Sequence, residues 1–130
     1  MITLVGQLDS PYVRRVAVSL RLLGVPYEQS PLSVFGDAAA VRKVNPVGRV
    51  PALTLDDGEA LGDSGAILDW LDETVGPERA LLPASGPARR RALRLVSLAT
   101  GGMDKTVALA IETIIRPKAL RSAEWADRLR

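Results

Sequence analysis

The 130-residue chain contains no cysteine and no histidine. Those absences exclude disulfides, a cysteine nucleophile, metal sites built from Cys and His, and a histidine general base. Such usage fits a reducing compartment. Aromatic residues are scarce, at 4% of the chain. The basic cluster Arg89-Arg90-Arg91 with Arg94 therefore lacks the interleaved aromatics and the reading motif of a nucleic-acid binder, and reads as a solvated helix face. No apolar run approaches the roughly 20 residues needed to span a bilayer. The first residues, Met1-Ile2-Thr3-Leu4-Val5-Gly6, lack the basic flank and long apolar core of a secretory signal. A cytoplasmic protein without membrane, metal or nucleic-acid partners is expected.

What is present is globular: 47% hydrophobic and 25% charged residues, enough for one domain or for one plus part of a second. The net charge of +2 hides an asymmetry. Residues 1–80 carry 7 Lys/Arg against 11 Asp/Glu, and residues 81–130 carry 10 against 4. A sign change near residue 80, beside Gly76-Pro77 and the segment from Pro83 to Pro87, predicts a domain at 1–76, a linker at 77–87 and a second, helical region at 88–130.

In the first region, residues 2–5 form a short apolar run, as in a buried strand. Ser10-Pro11 opens a helix, with serine as cap and proline in the first turn. Val13, Val16, Ala17 and Leu20 then fall on one face. Gly24-Val25-Pro26 ends it and residues 27–31 read as a second strand, which completes a right-handed βαβ unit. Residues 35–44 suggest a short, weakly patterned helix. Residues 52–55 and 59–61 flank Asp56-Asp57-Gly58, a strong hairpin signal. The next helix spans 65–74 and buries Ile67, Trp70 and Leu71. The order βαβ then ββα predicts an α/β domain with a mixed four-stranded sheet and helices over it.

The stretch at 45–70 organises the rest. It reads Asn45-Pro46-Val47-Gly48-Arg49-Val50-Pro51-Ala52-Leu53, then the hairpin, then Gly62-Asp63-Ser64-Gly65-Ala66-Ile67-Leu68. Proline entering a strand cannot donate to the ladder, so Val50-Pro51 belongs at a strand start, an edge or a bulge. A cis bond there would reverse the chain and turn the Val50 N–H and C=O outward, free to pair with an extended ligand. Asp63-Ser64 precedes a helical pattern. Ser64 is expected as the N-cap of a helix whose unpaired N–H groups face any carboxylate.

Residues 88–115 read as one long helix. Leu93, Val96, Thr100, Met103, Val107, Ala110 and Ile114 form a seam on it. Gly101-Gly102, mid-helix, suggests a close crossing, space beside a ligand or a kink. Arg116-Pro117 ends the helix and residues 119–130 begin another.

The two motifs at 45–53 and 61–68 resemble the glutathione-binding half of the cytosolic glutathione transferases, serine-type and bacterial-like, and the similarity runs from the first residue to the Asp104 region. This resemblance implies a thioredoxin-like first domain, followed by the opening of an all-helical second domain that is incomplete here. It implies a transferase that attacks an electrophilic carbon with the glutathione thiolate, with glutathione as co-substrate, no other cofactor, and a homodimer. The alternatives are a catalytically silent binding or interaction protein, and a glutathione-dependent isomerase or dehalogenase. Isomerases of the family usually carry a serine–cysteine pair in the first helix, and Tyr12 stands in place of the cysteine.

The resemblance implies roles for individual residues. Ser10 lies where redox relatives of the fold hold a C-x-x-C pair and would donate a hydrogen bond to the bound thiolate, with Tyr12 as rival donor and Asp9 orienting the hydroxyl. A thiol with pKa near 8.5 is only a few per cent ionised at pH 7, and each unit of lowering stabilises the thiolate by about 1.4 kcal/mol. The ligand supplies the nucleophile, so the lack of histidine is no obstacle. Val50, at Pro51, would pair with the cysteinyl unit. Ser64 would take the γ-glutamyl carboxylate, Asp63 the ammonium and Arg49 the glycyl carboxylate. Asp104 would approach the γ-glutamyl group across a dimer interface. Arg15 reads as a structural ion-pair partner. The electrophile is expected between the first domain and the long helix, near Tyr12, Thr100, Met103, Asp104 and Val107.

Overall fold

In the computed structural model, which describes residues 1–130, the chain divides into two units, Met1–Ala84 and Ser85–Arg130. The first begins with β1 (Thr3–Val5), α1 (Pro11–Leu22) and β2 (Glu28–Ser30). Ser10 caps α1: its backbone is extended and its Oγ accepts from the Val13 N–H at 3.4 Å, with Pro11 in the first turn. The expected stripe is fully formed, with Val13, Val16, Ala17 and Leu20 all buried. At the other end Gly24 takes φ +66 and the Val25 N–H returns to the Leu20 carbonyl, the left-handed exit that glycine permits.

There follow α2 (Ala38–Val44), β3 (Ala52–Thr54), β4 (Ala60–Gly62) and α3 (Ser64–Val75). The four strands pair in the order β2-β1-β3-β4. β1 runs parallel to β2 and antiparallel to β3, and β3 is antiparallel to β4. This is the mixed βαβ-ββα sheet of a thioredoxin-like domain. Leu4 stands opposite Leu53, and both are sealed under α1 and α3 with Leu20, Ile67 and Leu71. Each such side chain contributes about 1.5–3 kcal/mol relative to exposure. Trp70, expected in the core, is only half-buried at its edge.

Two boundaries differ from expectation for local reasons. The helix expected from residue 35 starts at Ala38. Before it, Ser33 Oγ accepts from the Phe35 and Gly36 N–H groups, and Asp37 accepts from the Ser33 N–H. These side chains capture backbone donors that a helix would otherwise use. α3 starts one residue early, so Ser64 is inside the helix. Its N-cap is Asp63, whose Oδ1 accepts from the Gly65 N–H at 2.7 Å.

The second unit comprises α4 (Gly86–Ala110), a π-helical turn (Ile111–Ile115), a 3-10 turn (Lys118–Leu120) and α5 (Ala123–Leu129). The long helix thus begins at Gly86 and loses its α register at Ile111. There the Arg116 N–H reaches the Ile111 carbonyl, an i to i+5 bond. The register change delivers Glu112, 4% exposed, to the Ser122 N–H at 2.6 Å and the Arg116 Nε at 2.9 Å. α5 packs on α4 and buries Ala126. Of the predicted seam, Val96, Thr100, Met103, Val107 and Ala110 are half-buried, whereas Leu93 and Ile114 are exposed. Apart from the helix's own neighbouring backbone, no atom of the chain lies within 4 Å of a Cβ built on Gly101 or Gly102, so these glycines do not mark an internal close crossing. No helix is long and apolar enough to cross a membrane.

Candidate functional site

A cavity of about 270 Å³ opens in the first unit where the segment before β3 meets the start of α3. Its walls bring together Tyr12, Arg49, Val50, Pro51, Asp63 and Ser64, six of the residues singled out in the sequence. The Val50–Pro51 bond is cis, and it is the only cis peptide in the chain. Neither the N–H nor the C=O of Val50 makes a hydrogen bond. A half-buried backbone donor and acceptor are thus left available on the cavity wall, where unpaired groups are otherwise rare.

The second wall is the start of α3. Ser64 is 4% exposed, and its N–H has no partner within the chain. Asp63 beside it holds φ +78, the only non-glycine residue with positive φ. With ψ +130 it lies outside the left-handed helical well, and residues held in such sparsely populated backbone conformations cluster at functional sites. One carboxylate oxygen of Asp63 caps the helix, and the other makes no hydrogen bond.

Three lining residues escaped the sequence reading: Asn45, Val47 and Gly62. Asn45 is buried, and it closes the turn that carries Arg49 and Val50. Its Nδ2 donates to the Arg49 carbonyl at 2.9 Å and its Oδ1 accepts from the Val47 N–H at 3.1 Å. Gly62 admits that amide: a Cβ here would stand 2.9 Å from Asn45 Nδ2, closer than real side chains approach. Gly6 supports the same wall from behind. It takes φ +131, and a Cβ on it would meet Val13 Cγ2 at 2.5 Å and Val50 Cβ at 3.0 Å. The available signal was an asparagine just ahead of Pro46, a turn position; its burial came only with the fold.

Other expected residues lie elsewhere. Ser10 does not line the cavity, and its hydroxyl serves the α1 cap. Thr100, Met103, Asp104 and Val107 stand on α4, in the second unit. Arg15 corrects its expectation. It joins none of the ion pairs in the chain; instead its Nη1 donates to Ser64 Oγ at 3.3 Å. The reason is topological: α1 and α3 lie side by side, which brings the second turn of one to the first turn of the other.

The family described as "Glutathione S-transferase, N-terminal domain" matches residues 4–79, more than half of the chain. The chain belongs to this family. Among curated relatives, the maleylacetoacetate isomerase of Pseudomonas aeruginosa is 40% identical over 92 residues, which cover 67% of this chain and 42% of that protein. Glutathione S-transferase Z1 of Arabidopsis thaliana is 35% identical over 112 residues, 84% of this chain and 50% of that protein. The chain thus spans about half the length of these curated relatives.

Solved structures agree on the glutathione S-transferase fold. A glutathione transferase family member from Pseudomonas fluorescens Pf-5, crystallised with bound glutathione, superposes with a TM-score of 0.88 at 40% identity, over 100% of this chain and 65% of that one. A glutathione S-transferase from Methylobacillus flagellatus, also with glutathione bound, gives 0.89 at 29% identity, over 99% and 63%.

Proposed function

We propose that the chain binds glutathione in extended form along residues 49–51 and uses its thiolate to attack an electrophilic carbon, forming a thioether. The observation that carries this reading is the unpaired backbone of Val50 on a cavity wall that faces the buried start of a helix. An extended peptide can pair with Val50 as an added strand would. A carboxylate placed at Ser64 meets a free N–H, a hydroxyl and the positive end of the α3 dipole. The free oxygen of Asp63 suits the neighbouring ammonium, and exposed Arg49 suits the glycyl carboxylate. The glutathione bound in the two related crystal structures supports the choice of ligand.

For the sulfur, Ser10 remains the proposed hydrogen-bond donor, with Tyr12, which lines the cavity, as the competing one. A hydroxyl can donate while accepting from the Val13 N–H, so capping and thiolate stabilisation are compatible. Thr100, Met103 and Val107 are proposed to contact the electrophile, and Asp104 the γ-glutamyl group of a second copy in a homodimer. A cytoplasmic setting accords with a free-thiol co-substrate. Retention on immobilised glutathione, lost in Asp63→Ala with Ser64→Ala, tests binding. Conjugation of an aryl halide, strongly reduced by Ser10→Ala, tests turnover. Retention with no turnover would support a binding protein instead.

A second reading is favoured by the relatives named maleylacetoacetate isomerase. In isomerisation the thiolate adds to a conjugated C=C, the resulting single bond rotates, and elimination returns the thiolate and the isomerised alkene. Glutathione is consumed one for one in conjugation and is not consumed in isomerisation. Following free thiol during turnover of a cis-configured unsaturated dicarbonyl separates the two.

A further inference from the structure

Arg15 is half-buried, projects from the second turn of α1, and its side chain makes one hydrogen bond, from Nη1 to Ser64 Oγ, 49 residues away in sequence. No carboxylate within the chain neutralises it. A partly desolvated guanidinium without an acidic partner is costly, and the group it does touch is the hydroxyl of Ser64, a buried residue on the cavity wall. That hydroxyl has one hydrogen and two lone pairs. Accepting from the cation commits a lone pair toward Arg15 and turns the O–H away from it. Ser64 lines the cavity and Arg15 does not.

Resting on the glutathione reading above, we propose that Arg15 is the positioning residue of the carboxylate subsite. It holds Ser64 as an obligate donor toward the cavity, polarises that donor, and so makes the subsite select an anion over a neutral group. Arg15 does not line the cavity and acts through Ser64. Hydrogen bonds involving a charged group are roughly twice as strong as neutral ones. The planar fork also fixes direction in a way that a lysine ammonium does not.

The test is calorimetric titration of the full 130-residue chain with two probes. One is glutathione; the other is its analogue in which the γ-glutamyl α-carboxylate is replaced by hydrogen. Arg15→Gln, Ser64→Ala and the double variant are compared with the wild type. Arg15→Gln is expected to weaken glutathione by about tenfold and the analogue by less than about twofold, and to add nothing in the Ser64→Ala background. A merely structural arginine would weaken both probes alike. Equal loss for both, or no loss for glutathione where Ser64→Ala loses it, overturns the role of Arg15 and leaves the glutathione site standing. A wild type that binds neither probe overturns the site and this inference with it. Should Arg15→Gln melt below the titration temperature, Arg15→Lys carries the same comparison, with a loss of about threefold or more, confined to glutathione, expected from the missing fork.

Discussion

Asn45 is the residue on which the cavity wall depends most directly, and its removal has a calculable consequence. Asn45→Ala deletes two hydrogen bonds, to the Arg49 carbonyl and from the Val47 N–H. A net intramolecular hydrogen bond contributes about 0.5–1.5 kcal/mol. Arg49 and Val47 are exposed, so water can satisfy the freed groups and the cost stays at the ordinary value. The expected destabilisation of the first unit is therefore about 2 kcal/mol. Asn45→Asp keeps an acceptor for Val47 but loses the donor to Arg49, and it places a carboxylate in a site 7% exposed. It should destabilise at least as much as alanine at pH 7 and recover as the carboxyl is protonated. The assays are chemical denaturation followed by Trp70 fluorescence in a Trp125→Phe background, since the chain carries two tryptophans, and amide exchange at Val47 and Val50. Exchange at Val47 should accelerate with the loss of its acceptor. A destabilisation below about 0.5 kcal/mol, the size of an ordinary surface substitution, with unchanged exchange at Val47 would refute the view that this side chain holds the wall in place.

Gly6→Ala places a methyl group 2.5 Å from Val13 Cγ2 at φ +131; it should cost about 3 kcal/mol or more by combining overpacking with backbone strain, and should lower glutathione affinity by shifting Val50. Gly62→Ala pushes on Asn45 Nδ2, and its effect on stability should be much smaller in an Asn45→Ala background, a coupling that a double-mutant cycle measures. Leu20→Ala, at a fully buried site between α1 and the sheet, should lower unfolding free energy by about 2–5 kcal/mol in thermal or urea melts. Glu112→Ala frees the Ser122 N–H and the half-exposed Arg116 and should cost about 1–3 kcal/mol, with loss of amide protection confined to the α4–α5 connection.

The elements themselves were legible in the residues because their causes are local. Ser10-Pro11 starts α1 and Gly24 ends it, and the apolar stripe between them has no other use. The hairpin follows from Asp56-Asp57-Gly58. From these the mixed sheet follows, since few topologies accommodate that order of elements. Most of the cavity lining was legible for the same reason: Arg49-Val50-Pro51 and Asp63-Ser64 are motifs that announce a turn and a helix start. What sequence alone misplaced were competitions between neighbours. Asp63, not Ser64, caps α3 because its carboxylate reaches the Gly65 N–H. The π turn at Ile111–Ile115 accompanies a buried carboxylate with partners at residues 116 and 122, the second of them ten residues away.

The division follows from the range of the forces involved. Helix periodicity, capping and turn chemistry act within a few residues, so the chain determined them by itself, along with the absence of any thiol or imidazole of its own. Contacts between residues far apart in the chain exist only once the sheet has closed. Asn45 beneath Gly62, Gly6 against Val50, and Arg15 on Ser64 belong to that second class. Tertiary structure decided them because packing α1 and α3 on one face of the sheet brings the ends of separate local motifs to the same few ångströms.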